Sequence, residues 1–181
     1  MPASTEGPGP AEREIYVPPI DPRQITPPSR EIHGLMGEAN IFRMIEDFYR
    51  ELEASSLRPL FPADMRAAAQ KSAAFFVGLL GGPPLYHQRH GNPMMRARHM
   101  AFAITPRARE EWLACFERVL AHAVERYAFP AQHLEGFRSF LRDFSLWMVN
   151  TAPSDEGAPP ATRPGGLTRS RIDPRYTDKH I

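Results

Sequence analysis

Apolar side chains recurring at the helical period constrain this chain more than any other feature. Ile41, Met44, Ile45, Phe48, Tyr49 and Leu52 are spaced so that they form one broad face of a helix. Asn40 is the expected cap of that helix, and Arg58-Pro59-Leu60-Phe61-Pro62 ends whatever follows it. The pattern returns from about Asp64 to Leu80, where Met65, Ala68, Ala69, Ser72, Phe76, Leu79 and Leu80 share a face. Gly81-Gly82-Pro83-Pro84 stops it. A short helix starting at Asn92-Pro93 carries His99. Thr105-Pro106 opens another, with Trp112, Leu113, Phe116, Leu120 and Ala123 along one side. The last runs from Pro130 to about Asn150, with Leu134, Phe137, Leu141, Phe144 and Met148 facing inward. No segment sustains period-two alternation, so the expected fold class is all-α.

Proline limits how far this fold extends. Prolines crowd the first 28 residues and return after Thr151, in stretches poor in large apolar side chains. Such stretches bury too little surface to fold alone. Residues 1–30 are therefore expected to be a proline-rich extension, flexible or draped on the core, and 153–181 a polar tail. Within the extension Ile15, Tyr16, Val17 and Ile20 are the groups fit to dock. The folded domain is expected over 31–152. A net charge of +1 argues against a nucleic-acid binder held by bulk electrostatics. No apolar run is long enough to span a bilayer, and the N-terminus lacks a secretory signal. A cytoplasmic protein, with no membrane or nucleic-acid partner, is the resulting expectation.

The chemistry gathers around Met94–Phe102, "MMRARHMAF". Gly81–Pro93 leads into it as a loop of a length that is usually functional or unstructured. His87 and His90 have a spacing compatible with a metal, but without nearby Cys or carboxylate partners a solvated loop is the better reading. Arg89, Arg96, Arg98, Arg107 and Arg109 read first as a solvated charged face and second as a seat for an anion. Cys115, the single cysteine, excludes an internal disulfide and a Cys-based zinc site, and its apolar neighbours mark it as inert core. If Tyr49, Phe61, Phe75, Phe76, Trp112 and Phe144 converge on His99, they enclose an oily cavity with one imidazole and cations at the rim. Haem needs such a set. An ordinary aromatic core uses the same residues, and periodicity leaves both readings open.

Five blocks go further: "FRMIEDFY" followed by "LRPLFP", then "FFVGLLGGPPLY", "GNPMMRARHMAF" and "REEWLACF". In this order, over roughly 37–150, they resemble a truncated haemoglobin of group II. The resemblance implies a two-over-two helical sandwich around haem b. It places His99 as the proximal iron ligand, Tyr49 as the distal tyrosine and Trp112 as the tryptophan that marks the group. It puts Phe61 beside the haem, Ala68 where ordinary globins carry the distal histidine, and Ser72 one turn further on. Lys71, Tyr86 and Arg98 match positions toward the propionates, while Phe75, Phe76, Met95, Phe144 and Met148 complete the wall. The chain departs from the family in five places, and at one of them only Gly37 remains of the paired glycines common before the first long helix. Asn92 replaces a histidine before Pro93, Ala101 replaces a proline, Ser72 stands where relatives carry leucine or glutamine, and Leu79 where many carry tryptophan.

The function implied is binding of dioxygen, carbon monoxide and nitric oxide, with Tyr49 and Trp112 donating hydrogen bonds to the bound gas and Ser72 a candidate third donor. Two such donors slow release. This favours redox or nitric oxide and reactive-species detoxification over carriage, as a nitric oxide dioxygenase or peroxidase-like activity served by a separate reductase. The alternative is a haem-based gas or redox sensor acting through its terminal tails. A homodimer is compatible with either.

Overall fold

The structure, a computed structural model, describes residues 14–153, and every regular element among them is helical. Helices α1 (Ile32–Met36) and α2 (Glu38–Glu53) meet at Gly37, whose φ of 81° breaks the run between them. Gly37, not Asn40, occupies the cap of α2; the Asn40 amide instead donates back to the Met36 carbonyl at 3.0 Å. Ile41, Met44, Ile45, Phe48 and Leu52 are buried as the periodicity requires, and Tyr49 is half-buried at the edge of that face.

Helix α3 (Met65–Leu79) starts where the Asp64 carboxylate accepts the Ala67 N–H at 2.8 Å. Its inward face differs from the expected one. Met65, Ala69, Ala73, Phe76 and Val77 are buried, joined by Leu80 just beyond the helix. Ala68, Ser72, Phe75 and Leu79 form a second row at helical spacing and stay half-buried. The helix thus has two apolar rows, one buried and one half-buried.

Residues 81–93, expected as loop, contain helix α4 (Leu85–His90), pinned by buried Tyr86. Two apolar residues in six were too few to register as a helical period. Gly81 precedes it at φ 101°, with its Cα so close to the Arg30 carbonyl that a Cβ would sit 1.8 Å from the oxygen. The histidine helix, α5 (Met95–His99), begins after Met94 rather than at Asn92; the Asn92 side chain accepts the Met94 N–H at 3.0 Å. Helix α6 (Pro106–Leu120) is capped by Thr105 as expected, its hydroxyl accepting the Ala108 N–H at 3.1 Å. A short α7 (Ala123–Tyr127), not expected, precedes α8 (Ala131–Met148).

Helix α2 packs on α3, α6 packs on α8, and α2 meets α6, so two helix pairs stack into a sandwich. Phe48, Phe116 and Phe137 meet at its centre, Phe48 stacked on Phe116 at 4.0 Å between ring centroids. Each fully buried phenyl contributes roughly 1.5–3 kcal/mol. Also on α2, next to Phe48 in the chain, Asp47 accepts hydrogen bonds from Tyr127, Arg126 and Arg50, tying α7 down. The segment from Tyr16 to Pro28 lies on this core: Pro18, Ile25 and Pro28 are buried and Ile20 packs against it, whereas Ile15 and Val17 face solvent. The tail expected over 153–181, after its first residue, and residues 1–13 of the extension lie outside the described residues. No helix among the described residues is long and apolar enough to cross a membrane.

Candidate functional site

His99 closes α5. Its ring Nδ1 lies 2.6 Å from the Met95 carbonyl one turn back, a bond only a protonated Nδ1 can make. Nε2 is then the nitrogen with the lone pair. Burial lowers the imidazole pKa, the Met95 bond opposes this, and Arg98 adds a small lowering, so the ring stays neutral. Tyr49 shows the mirror effect: burial pushes its phenol pKa up, a hydrogen bond with Ser72 works against the shift, and the O–H is retained. Both side chains are reachable from solvent, yet desolvation is the largest influence on each. Side chains on a convex surface do not behave this way; side chains inside a cleft do.

A chain of aromatic rings extends from Tyr49. Phe61 meets it edge-on at 5.9 Å, Phe48 at 5.8 Å, and Phe48 in turn meets Trp112 at 5.3 Å. Trp112 also leans on Phe116 at 5.2 Å, which fixes the indole. The second row of α3 adds Ala68, Ser72 and Phe75, and Phe75 meets Tyr86 edge-on at 6.1 Å. Lys71 Nζ stands 5.8 Å from the Tyr86 ring, and Arg98 donates to the Asn92 carbonyl at 3.3 Å. Phe61, Phe75, Met95 and Trp112 are only partly buried, an apolar lining unusual to leave half open to water. Phe76, Phe144 and Met148 sit deeper: Phe76 packs on Phe116 and Phe137, Phe144 on Phe140 and Trp147, and Met148 is buried at the end of α8.

His87 and His90 are exposed on α4 beside Tyr86. Among the described residues no three His, Cys, Asp or Glu side chains converge, so a metal held by His99 has to bring its other ligands with it. A macrocycle does so, and the half-open aromatic lining suits a flat apolar one. The donor set and the lining both fit haem. Cys115 is buried, its thiol pKa raised by burial, with Arg118 donating to the sulfur at 3.2 Å. A surface groove of about 250 Å³ opens between α6 and α8, beside Leu113, Leu120, Leu141 and Arg138, and it holds none of the candidate site residues.

The solvated reading of the arginine stretch fails at Arg96, which is 7% exposed and donates to the carbonyls of Trp147, Val149 and Tyr16. It fails partly at Arg109, which bonds Ser145 Oγ and the Arg142 carbonyl. Asn150, expected only as a helix end, is fully buried and bonds the backbone on both sides of the turn after His99. Nothing in the spacing of either residue marks it; only a polar side chain at the close of an apolar run hints at it.

Residues 33–149 match the bacterial-like globin family. The chain is 39% identical over 88 residues to group 2 truncated hemoglobin YjbI of Bacillus subtilis, covering 48% of this chain and 67% of that one. Among solved structures it resembles the truncated oxygen-avid haemoglobin from Bacillus subtilis, with a TM-score of 0.60 and 33% identity over 65% of this chain and 98% of the other. It also resembles phosphate-bound Hell's gate globin IV, with a TM-score of 0.66 and 32% identity, over 88% of this chain and 94% of that one.

Proposed function

The chain belongs to the bacterial-like globin family, among the group II truncated haemoglobins, and on that premise we propose that His99 holds the iron of haem b while Tyr49 and Trp112 retain the bound gas. Haem-based binding of diatomic gases follows from the family itself. The observation that carries the site assignment is the pair of desolvated yet reachable side chains, a neutral His99 and a protonated Tyr49, in one half-open aromatic lining.

When bound, haem supplies an iron that takes dioxygen, carbon monoxide or nitric oxide. His99 presents Nε2, and the bond from its Nδ1–H to the Met95 carbonyl fixes the tautomer and makes the imidazole a stronger ligand. Tyr49 keeps its proton at every physiological pH, so it acts as a donor throughout. Ser72 stands near enough to that hydroxyl to act on its proton affinity. The Trp112 indole is a donor only, and its rigid seat on Phe48 and Phe116 holds the N–H in one direction. Lys71, Tyr86 and Arg98 supply cations and a hydroxyl for the two carboxylates of the macrocycle. Phe61, Ala68, Phe75, Phe76, Met95, Phe144 and Met148 exclude water around it.

Two donors on a charged acceptor contribute roughly 1.5–3 kcal/mol each. Release is then slow, in keeping with the description of the Bacillus subtilis relative as oxygen-avid. A slow releaser suits consumption of the gas, and we assign the protein to nitric oxide or reactive-species detoxification with electrons from a separate reductase. Absorption spectra of the purified protein, ferric and then ferrous under carbon monoxide, beside His99→Ala, test the site. A Soret band that shifts with carbon monoxide and is lost or grossly altered in the variant is expected. The absence of any such band after added hemin overturns the reading.

A further inference from the structure

Helix α5 is five residues long, too short to hold its own position. It also follows Met94, a non-glycine residue at φ 42°, a conformation that persists only where surroundings impose it. Met94 itself is held by the Asn92 side chain, which accepts its N–H at 3.0 Å, and the C-terminal end of α5 is restrained by Asn150. Its Nδ2 donates to the His99 carbonyl at 3.1 Å, and its Oδ1 accepts the Ile104 N–H at 3.0 Å. The backbone N–H groups of Asn150 and Thr151 donate to the Ile104 carbonyl at 3.0 and 3.2 Å. Both ends of the turn after His99 are therefore bonded to the chain leaving α8.

Arg96 draws in a third segment. From within α5 its guanidinium reaches the Trp147 and Val149 carbonyls at the end of α8 and, at 3.1 Å, the Tyr16 carbonyl of the N-terminal extension. The Tyr16 N–H in turn donates to the Asn150 carbonyl at 3.1 Å. Residues 16, 96, 99, 104, 147 and 149–151 thus form a closed circuit of hydrogen bonds, with buried Arg96 and Asn150 at its centre.

We propose that Arg96 and Asn150 are positioning residues for His99, and that the N-terminal extension, through Tyr16, is a working part of the device that holds this histidine. The proposal rests on His99 being the haem ligand. Asparagine suits position 150 because it carries a donor group and an acceptor group on one short side chain; aspartate would set a second acceptor against the His99 carbonyl. Arginine suits position 96 because it spans carbonyls from two chain segments in one fork. Loss of the Tyr16 contact releases one side of the circuit, so whatever moves the extension alters the tilt of the imidazole.

Resonance Raman of the full-length ferrous protein reads this directly, because the iron–histidine stretching band responds to imidazole tilt and to the Nδ1 hydrogen bond. Tyr16→Pro removes one backbone N–H far from the histidine. Together with Asn150→Ala and Arg96→Met it is expected to shift the band to lower frequency and broaden it, with Arg96→Lys recovering part of the wild-type position. Tyr127→Phe, which cuts a part-buried bond between α7 and α2 outside this circuit, is the control and should leave the band in place. An unmoved band in Tyr16→Pro and Asn150→Ala overturns the proposal, as does an equal shift in Tyr127→Phe. If the substitutions at Arg96 or Asn150 prevent folding, Tyr16→Pro alone decides. A wild-type protein without an iron–histidine band overturns the haem assignment instead, which is a separate and recognisable failure.

Discussion

Replacing Trp112 by phenylalanine isolates one proposed hydrogen bond. The indole meets Phe48 at 5.3 Å and Phe116 at 5.2 Å, and a phenyl ring keeps both contacts, so the α2–α6 packing should survive. What disappears toward the gas is the Nε1–H. Bound dioxygen draws electron density and becomes a charged acceptor, for which one lost bond costs about 1.5–3 kcal/mol. At 1.36 kcal/mol per factor of ten, dioxygen should leave roughly 10- to 150-fold faster. Carbon monoxide stays nearly neutral when bound, and a neutral bond of about 0.5–1.5 kcal/mol predicts a rise of only about 2- to 12-fold. Stopped-flow displacement measures both rates on the same preparation. A dioxygen rate within about twofold of wild type removes Trp112 from the donors. Equal acceleration of both gases would mean that the substitution opened space rather than removed a bond.

Two further outcomes follow from the packing. Tyr127→Phe should cost about 1–3 kcal/mol in urea unfolding at pH 7, because the hydroxyl donates to a carboxylate that Arg126 and Arg50 also hold. Burial first, then Asp47, raises the Tyr127 pKa above 10, so above that pH the unfolded chain loses its proton before the folded one does and stability falls. The deficit of the variant should therefore shrink at pH 11; a constant deficit contradicts the assignment. Gly81→Ala forces a Cβ to 1.8 Å from the Arg30 carbonyl at a positive φ and should cost more than about 2 kcal/mol in thermal unfolding, while Gly136→Ala, on the open face of α8, should be neutral or mildly stabilising.

The long helices were legible because each presents a full apolar stripe: α2, α6 and α8 fall within a few residues of the expected ranges. Helices α4 and α7 were not, because six and five residues carry too few apolar positions to set a period. Within the candidate site, Tyr49, Trp112 and His99 stand out by residue type and by the resemblance of the blocks around them. Arg96 did not. Sequence weighs an arginine among arginines as a solvated charge, and nothing local says that three backbone carbonyls wait for it.

The amino-acid order alone therefore determines the all-helical class, the proline-rich margins and the residue types able to hold a haem, since periodicity and composition are local properties. Which of the two rows of α3 becomes buried is decided elsewhere. Packing against α2 and α4 leaves Ala68, Ser72 and Phe75 half open, and which helices α3 meets depends on residues distant from it along the chain. The same holds for the circuit joining Tyr16, Arg96 and Asn150 behind His99. Its members lie as far as 134 residues apart, and a buried backbone carbonyl acquires its partner only when packing has excluded water from it.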